Sequence, residues 1–245
     1  MNQLILLDKK NEYSITHLNH QEIYSHLTQI LKVQLNDKIC CSVLNHGCYE
    51  GKILEIDQNK IKLQLDLSVS KSSIISPYKK KIELFVGICR PNSMKKILEW
   101  GASLGVEGFY FFKAQLTDPS YLNSNIFQCS QFTPFLIKGL QQTRGLYKMP
   151  QVYFFEKLDN CINSTSSSDD KSTLFCSLNS SINILQIKNI KSHHNIQFFI
   201  GPERGFTIKE EELFLSNNFK AVGLSSKILR TELAMVTALG QLELV

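Results

Sequence analysis

The sequence contains little arginine. Of its 27 basic residues only four are arginine and the other 23 are lysine, a bias that an AT-rich genome explains. Arginine offers planar, two-pronged recognition of carboxylate or phosphate, which lysine cannot supply. Each remaining arginine is therefore a candidate ligand-binding residue. The four are Arg90, Arg144, Arg204 and Arg230.

The sequence also lacks paired cysteines and long apolar runs. Its seven cysteines include no C-x-x-C pair, so they indicate neither a zinc site nor a disulfide framework, and we expect a reducing compartment. The apolar run at residues 4–7 is too short for a signal-peptide core. No stretch approaches the roughly 20 apolar residues of a membrane helix. These absences predict a soluble, cytoplasmic protein with no metal site.

The overall composition is that of a globular protein. Hydrophobic residues make up 43% and charged residues 20% of the 245 positions, which excludes disordered, collagen-like and coiled-coil chains. The length suits one large domain or two small ones. The net charge of +5 is only weak evidence for a nucleic-acid partner.

Residues 1–75 read as short strands with one helix. Helical spacing of Ile23, Leu27, Ile30 and Leu31 predicts a helix over residues 21–32. Short apolar runs separated by turn residues predict a small β-barrel-like unit, and a serine-rich linker follows. The predicted strands span 38–44, 51–57 and 60–67, and the linker spans 68–77.

From residue 81 onward, strands alternate with helices, which predicts an α/β fold with a mostly parallel sheet. The polar, serine-rich segment 159–172 is predicted to be an exposed loop. The predicted strands span 82–89, 106–112, 152–155, 174–178, 197–200 and 221–224. The predicted helices span 92–104, 132–140 (as part of a longer helix), 207–217 and 231–244.

The segment FFIGPERGFT, residues 198–207, joins an apolar strand to a helix. Thr207 and Glu210 form a T-x-x-E capping box at the helix start. Glycines such as Gly201 and Gly205 let a backbone approach a ligand, and ligands of open α/β sheets bind just beyond strand carboxyl ends. An ordinary turn explains a lone Gly-x-x-x-Gly equally well.

The segment LSSKILRTELAMVTAL, residues 224–239, joins a short strand to the last helix. We expect Thr231 to be the N-cap, and Glu232 in the first turn suits the helix dipole. The dipole disfavours a cation at this position, so Arg230 indicates an anionic or polar ligand.

These two segments resemble the RsmE-type 16S ribosomal RNA methyltransferases of the SPOUT superfamily, which carry GPEGG and then LG-x-RILRTETA. Three earlier segments resemble the family in the same order. SHLTQILKVQLND (25–37) is similar to HHLxxVLRLKxGD, and RPNSMKKILEWGASLGV (90–106) to KxDRMExxxQKATELGV. QQTRGLYKMPQV (141–152) is similar to EQSGRxxVPxI. Each match alone is weak, but the ordered set is specific.

The resemblance implies a PUA-like RNA-binding β-barrel domain over residues 1–75. Over residues 76–245 it implies a SPOUT methyltransferase domain with a C-terminal trefoil knot. It further implies a homodimer that uses S-adenosylmethionine to methylate N3 of a uridine, uridine 1498, in the 16S rRNA of the 30S subunit. No membrane or metal partner is implied.

The resemblance also assigns roles to residues. Arg230 would steady negative charge on the uracil or bind the target phosphate, and Glu232 is the nearest candidate base, although its place in the first turn explains it as well. His26, Lys32 and Arg144 would contact RNA; a solvated surface role explains His26 and Lys32 equally well. The cofactor-binding positions would be Gly201, Pro202, Glu203, Arg204, Gly205, Leu224, Ile228, Leu229 and Thr231.

Besides Lys32, which replaces an arginine, and an N-terminal arginine that has no counterpart near Asn2 and Gln3, five positions depart from the family pattern. Arg204 replaces a glycine, and Trp100, Ser103, Gln115 and Leu233 replace a lysine, a glutamate, an arginine and a threonine. Several losses fall on charged residues that would face RNA. Two alternatives therefore stay open: a non-catalytic RNA-binding or ribosome-assembly protein on the same fold, and a SPOUT methyltransferase with a different RNA target.

Overall fold

The computed structural model describes residues 2–18, 20–68, 80–124, 126, 129–165 and 170–245. The chain divides into two compact units. The first comprises Met1–Pro77 with Leu140–Met149, and the second comprises Tyr78–Gly139 with Pro150–Val245. Apart from Ser68, the predicted serine-rich linker lies outside the described residues.

The first unit is built on a five-stranded mixed sheet with the order β1-β3-β4-β5-β2. The β1–β3 pairing is parallel and the other pairings are antiparallel. Leu27, Ile53 and Leu63 are fully buried in its core. The strands are β1 (Leu4–Leu6), β2 (Glu12–Thr16), β3 (Lys38–Val43), β4 (Gly47–Asp57) and β5 (Lys60–Asp66), so the three predicted strands are confirmed.

The predicted helix over 21–32 forms in a modified way. An α-helical turn, α1 (Gln21–Ser25), continues as a π-helix over His26–Ile30. The helix then ends, because Lys32 adopts a left-handed backbone with φ of 49°. Lys32 therefore lies beyond the helix and not on it.

The segment Leu140–Met149 joins the first unit through the buried side chain of Gln3. The Gln3 amide donates to the carbonyls of Leu140 (2.9 Å) and Leu146 (2.7 Å). Its oxygen accepts hydrogen bonds from Ser42 (2.8 Å) and from the Gly145 backbone (3.1 Å). The two units are thus not separated by the single cut near residue 75 that the sequence suggested.

The second unit contains a six-stranded sheet with the order β11-β9-β10-β6-β7-β8. All five of its strand pairings are parallel, which confirms the predicted α/β class. Its strands are β6 (Lys81–Gly87), β7 (Gly108–Phe112), β8 (Gln151–Phe155), β9 (Lys171–Cys176), β10 (Asn195–Ile200) and β11 (Lys220–Val222). Its longer helices are α2 (Pro91–Ser103), α3 (Cys129–Gln142, whose last residues belong to the first unit), α5 (Ile208–Ser216) and α6 (Thr231–Leu242). None of the helices in the described residues has the length and apolarity that crossing a membrane requires.

The prediction of an exposed loop over residues 159–172 is wrong at both ends. A short helix, α4 (Leu158–Asn163), buries Leu158, Cys161 and Ile162 at helical spacing. β9 begins at Lys171, and the side chain of Ser172 is buried. The polar residues of the segment masked an apolar helix face that includes a cysteine acting as a small hydrophobe.

Stacked aromatic rings hold the central strands of this sheet in register. The ring of Phe85 on β6 lies 4.4 Å from that of Tyr110 on β7 and 4.3 Å from that of Phe199 on β10. Phe214 of α5 packs on Phe199 with a centroid distance of 5.2 Å. Such pairs stabilise a core beyond their buried area. They fix the carboxyl ends of β6 and β10 relative to α5.

Candidate functional site

The candidate site lies at the carboxyl ends of β6 and β10. An added Cβ at Gly87, the last residue of β6, would come within 2.5 Å of Pro202 Cδ. The loop after β10 therefore lies directly on the end of β6. The Glu203 carboxylate accepts a hydrogen bond from the backbone N–H of Arg90 (2.7 Å), at the start of α2. This bond pins the loop to α2.

The turn Gly201–Gly205 is folded tightly on itself. A Cβ at Gly201 would lie 2.9 Å from the Gly205 backbone, whose N–H donates to the Pro202 carbonyl (2.9 Å). Gly205 has a φ of +70°, a conformation that favours glycine. The sequence suggested that Gly201 lets the backbone approach a ligand. In the structure it is the turn itself that requires glycine at position 201.

The start of α5 forms the predicted capping box. The Thr207 hydroxyl accepts from the Glu210 N–H (3.3 Å), and the Glu210 carboxylate accepts from the Thr207 N–H (2.8 Å). Gln115, one of the five departures, belongs to the same network. Its backbone N–H donates to Glu210, and its side-chain oxygen accepts from the Thr207 hydroxyl, both at 2.8 Å.

The loop between β11 and α6 passes close to the segment after β9. The Gly223 N–H donates to the Ile182 carbonyl (2.8 Å), and a Cβ at Gly223 would lie 2.2 Å from the Ser180 carbonyl oxygen. The Leu224 carbonyl accepts from the Gln241 side chain of α6 (3.0 Å). The loop is therefore clamped at its start, whereas Ile228 near its end is 82% exposed.

The prediction that Thr231 caps α6 is wrong. The N-cap is Arg230, which has an extended backbone and makes no side-chain capping bond. Thr231 is the first helical residue; it is buried, and its hydroxyl has no hydrogen-bond partner. Buried polar groups are nearly always paired, so this hydroxyl is a candidate ligand contact.

Charged side chains surround the start of α2. The guanidinium of Arg90 bonds to Tyr121 and faces Glu203 and Glu232, and these neighbours, Tyr121 foremost, raise the pKa of Arg90. The sequence indicated Arg90 only as one of four candidate ligand-binding arginines and assigned it no specific contact. Its rarity as one of four arginines was the signal available. The cluster lies beside Arg230, because Glu232 is in the first turn of α6.

Glu232 is a buried carboxylate that is held ionised. Burial acts to raise its pKa. The Glu232 backbone N–H, the Ser93 hydroxyl and Lys96 more than offset this effect, so the pKa is lowered. The Lys96 Nζ lies 3.6 Å from the Glu232 Oε1 and 5.6 Å from the ring centroid of Trp100. A carboxylate with a lowered pKa is a weak general base.

Cys89 also lies beside this cluster but is unsuited to nucleophilic chemistry. The residue is buried, and burial, followed by the charges of Glu203 and Glu232, raises the pKa of its thiol well above 9.0. The reactive form of cysteine is the thiolate. Among the residues that the structure describes, no group of three His, Cys, Asp or Glu side chains is arranged to hold a metal.

The predicted site residues fall into two groups. Except for Thr231, which is in α6, the predicted cofactor-binding positions lie on two loops of the second unit. One loop bonds to the start of α2 and the other to α6, and Arg204 is exposed. In the first unit, Arg144 is exposed and its Nε donates to the Asn2 carbonyl (3.3 Å). His26 is half-buried and its Nε2 has no partner, and Lys32 is exposed.

Comparison with known families gives one match over most of the second unit. Residues 76–243 match the family model described as an RNA methyltransferase domain. The chain is 32% identical over 213 residues to ribosomal RNA small subunit methyltransferase E 1 of Borreliella burgdorferi, covering 87% of this chain and 86% of the relative. It is 24% identical over 227 residues to the methyltransferase E of Treponema pallidum, covering 88% and 80%.

Solved structures show the same fold. The structure of methyltransferase E from Neisseria gonorrhoeae, bound to S-adenosyl methionine, has a TM-score of 0.75 and 19% identity; the match covers 100% of this chain and 97% of that one. A Legionella pneumophila structure with the bound cofactor SAM has a TM-score of 0.74 and 18% identity, covering 99% and 97%.

Proposed function

Because this chain belongs to the RsmE-type ribosomal RNA methyltransferases of the SPOUT superfamily, we propose that it transfers a methyl group from S-adenosylmethionine to N3 of a uridine in 16S rRNA. The observation that carries the proposal is the buried, unpartnered Thr231 hydroxyl beside Arg230, at the start of α6. The expected target is uridine 1498.

The two loops fit the cofactor. Its ribose and adenine present donors and acceptors that backbone groups of Gly201–Gly205 and of residues 224–229 would bind, and Thr231 adds a buried hydroxyl. Within the described part of the chain, the N–H groups of Ile228 and Leu229 donate to no other group, so they are free to bind a ligand. When bound, S-adenosylmethionine supplies the methyl group and a sulfonium charge.

Arg230 would act on the substrate. Uracil N3 loses its proton only well above neutral pH, so the enzyme must favour the N3 anion. Arg230 is exposed at the N-terminus of α6, where the positive end of the helix dipole adds to its own charge. A fixed positive field at the point where negative charge develops is the main electrostatic contribution to catalysis. Arg90, which is exposed and bonded to Tyr121, would extend this field.

Glu232 would hold α6 and α2 in position and would not accept the proton from uracil N3. Its lowered pKa makes it a weak base, and its contacts with Ser93 and Lys96 hold α6 against α2. We infer that Arg230 and the cofactor charge lower the pKa of the uracil N3–H, so that the proton leaves to solvent. Activity should then rise with pH above neutrality and show no titration of Glu232 in that range.

The first unit would be the PUA-like RNA-binding domain. Its mixed five-stranded sheet is consistent with that class, and His26, Lys32 and Arg144 all lie in it. The second unit would be the SPOUT domain. The tight approach of Gly223 to Ser180 supports a C-terminal trefoil knot, because the loop before α6 lies against the segment after β9. A ribosomal substrate would place the protein in the cytoplasm.

A homodimer is part of the proposal. Helix α6 exposes Leu233 (46%) and Val236 (37%) on the outside of the second unit. Leu233 is a departure from the family threonine, and it enlarges this apolar face. Burying such side chains between two copies stabilises a dimer.

The decisive experiment is mass spectrometry of 16S rRNA from a strain lacking the gene. We expect the methyl group at uridine N3 to be lost, and to return when the gene is restored. Retained methylation would refute this target and favour another RNA. Calorimetry with S-adenosylmethionine distinguishes the methyltransferase from the non-catalytic alternative. A chain that binds no cofactor cannot be an S-adenosylmethionine-dependent methyltransferase.

A further inference from the structure

The first unit contains a pocket that has no assigned role. It has a volume of about 340 Å³, within the usual range for small-ligand sites. All the residues that line it belong to the first unit. We call it the Leu31 pocket, after the exposed leucine that follows the π-helix and contributes to its wall.

The Leu31 pocket combines an apolar wall with a charged border. Leu27, Leu31 and Val33 come from the helix and the segment after it. Leu31 is 48% exposed, so part of its side chain is accessible to a ligand in the pocket. Arg144 and Asp37 supply opposite charges to the lining.

Arg144 is positioned to receive a phosphate. Its Nε bonds to the Asn2 carbonyl (3.3 Å), which holds the guanidinium at the pocket. Within the described residues it forms no ion pair with an acid, whereas Lys38, also in the lining, pairs with Glu50 at 2.6 Å. A held and uncompensated guanidinium is suited to bidentate contact with phosphate.

Asp37 supplies an acceptor for the edge of a base. One carboxylate oxygen closes a turn by accepting from the Gln34 N–H (2.7 Å), and the second bonds to nothing in the described chain. Guanine presents two adjacent donors, N1–H and N2–H, on its Watson–Crick edge. Uracil presents one N–H between two carbonyl oxygens, which a carboxylate repels.

We propose that the Leu31 pocket binds a single unpaired guanine nucleotide of the RNA substrate, with the base against Leu27, Leu31 and Val33, its edge on Asp37 and its phosphate on Arg144. Unpaired bases read at their Watson–Crick edges are the usual basis of sequence-specific RNA recognition. This inference rests on the proposed function for its RNA partner. It adds a recognition site for a nucleotide other than the methylated uridine.

Methyl NMR titrations of the full chain with GMP and UMP test the proposal. We expect GMP to bind at least about fivefold more tightly than UMP, because a good bidentate contact discriminates by at least that factor. The shifts should be confined to methyl groups of the pocket wall. Equal affinities, or shifts centred elsewhere, would overturn the proposal.

Three variants locate the contacts. Asp37→Asn keeps an oxygen for the Gln34 turn but should abolish the preference for GMP. Leu31→Asp should weaken the binding of both nucleotides about tenfold, because it removes an apolar contact with the base and adds a carboxylate that repels the phosphate. Leu35→Asp is the matched control, since Leu35 is 58% exposed, lies outside the pocket and receives the same charge. An equal loss in both leucine variants would contradict the pocket.

Short oligonucleotides distinguish RNA from a free nucleotide. A single-stranded hexamer with one guanosine should displace GMP, whereas hexauridylate should not; GMP binding without this displacement would refute an RNA ligand. Cofactor binding and methyl transfer by the wild-type protein are measured in parallel. Intact methyl transfer with no preference for guanine would refute guanine binding in the Leu31 pocket and leave the proposed function unaffected.

Discussion

Helices α5 and α6 begin in contrasting ways at the same edge of the sheet. α5 starts with a complete capping box in which Thr207 and Glu210 bond reciprocally. α6 starts with Arg230, which makes no side-chain capping bond, and with a Thr231 hydroxyl that is buried and unpartnered. The first start is built for stability. The second accepts a polar group without a partner and a charge that the dipole disfavours, which is typical of a site that completes its bonds with a ligand.

The largest expected effect is that of Arg230→Ala. Methyl transfer to 30S subunits should fall by about a thousandfold if this side chain stabilises the developing charge. The free energy of unfolding should stay or rise slightly, since a cation at a helix N-terminus costs about 0.3–1 kcal/mol. Lys209→Ala, at an exposed cation in the first turn of α5, is the control and should retain most activity. Full activity of Arg230→Ala would remove the assigned role.

Gly201→Val should destabilise the loop before α5. The added side chain meets the Gly205 backbone, and overpacking of this kind costs about 2–3 kcal/mol. In Gly205→Ala the added Cβ would meet no atom within 4 Å. The free energy of unfolding should therefore fall only by the cost of a φ of +70°, about 1 kcal/mol. Urea denaturation compares the two. Unchanged stability of Gly201→Val together with lost cofactor affinity would show instead that position 201 faces the ligand.

Thr207→Ala should affect stability and not chemistry. Loss of the cap should lower the free energy of unfolding of the second unit by about 1 kcal/mol. Thr207→Ser keeps the hydroxyl and should behave as the wild type. The methylation rate per folded molecule should be unchanged in both variants. A lower rate in Thr207→Ala without a loss of stability would show that the start of α5 serves the reaction and not only the fold.

Thr231→Val should have the opposite effects, with a more stable fold and weaker cofactor binding. Removing a buried hydroxyl that has no partner should raise the free energy of unfolding by up to about 1 kcal/mol. The same change should weaken S-adenosylmethionine binding in calorimetry, because the ligand loses its hydrogen bond. Thr231→Ser retains the hydroxyl and should retain affinity. A destabilised valine variant would mean that the hydroxyl serves the fold.

The smallest expected effect is that of Glu232→Gln on stability, and it is visible only at acidic pH. The pKa of Glu232 in the folded protein lies below its ordinary value of 4.5, so its ionised form stabilises the fold at all pH values above 4.5. That stabilisation is lost as the pH falls through the folded pKa. Glu232→Gln should therefore reduce the acid-dependent loss of stability in thermal melts below pH 5. An identical acid profile in the variant would contradict the lowered pKa.

The sequence predicted those features that depend on local signals. The capping box of α5 was readable because Thr207 and Glu210 are three residues apart and their reciprocal bonds are local, whereas their bonds to the distant Gln115 were not predicted. The parallel sheet followed from the alternation of strands and helices. Helix α4 was missed because it is only six residues long, half of them polar, and a serine-rich stretch follows it. The cap of α6 was misassigned because a threonine normally outranks an arginine as an N-cap.

Other features arise from contacts between distant parts of the chain. The ten-residue segment Leu140–Met149 belongs to the first unit because the amide of Gln3 bonds to two of its carbonyls, and no local pattern announces this. The link between Arg90 and Glu203 joins residues more than a hundred positions apart. The likeness to a known family predicted the two loops of the candidate site, but only the structure shows that Glu203 fastens one of them to α2.

The position of Lys96 has a practical consequence. This side chain lies over the ring of Trp100, the only tryptophan in the chain, while its ammonium group reaches Glu232 of α6. Indole emission responds to nearby charge. Any ligand that moves Lys96 or Glu232 should therefore change the fluorescence of Trp100. The protein carries a natural optical reporter of its own site, and binding can be followed without a label.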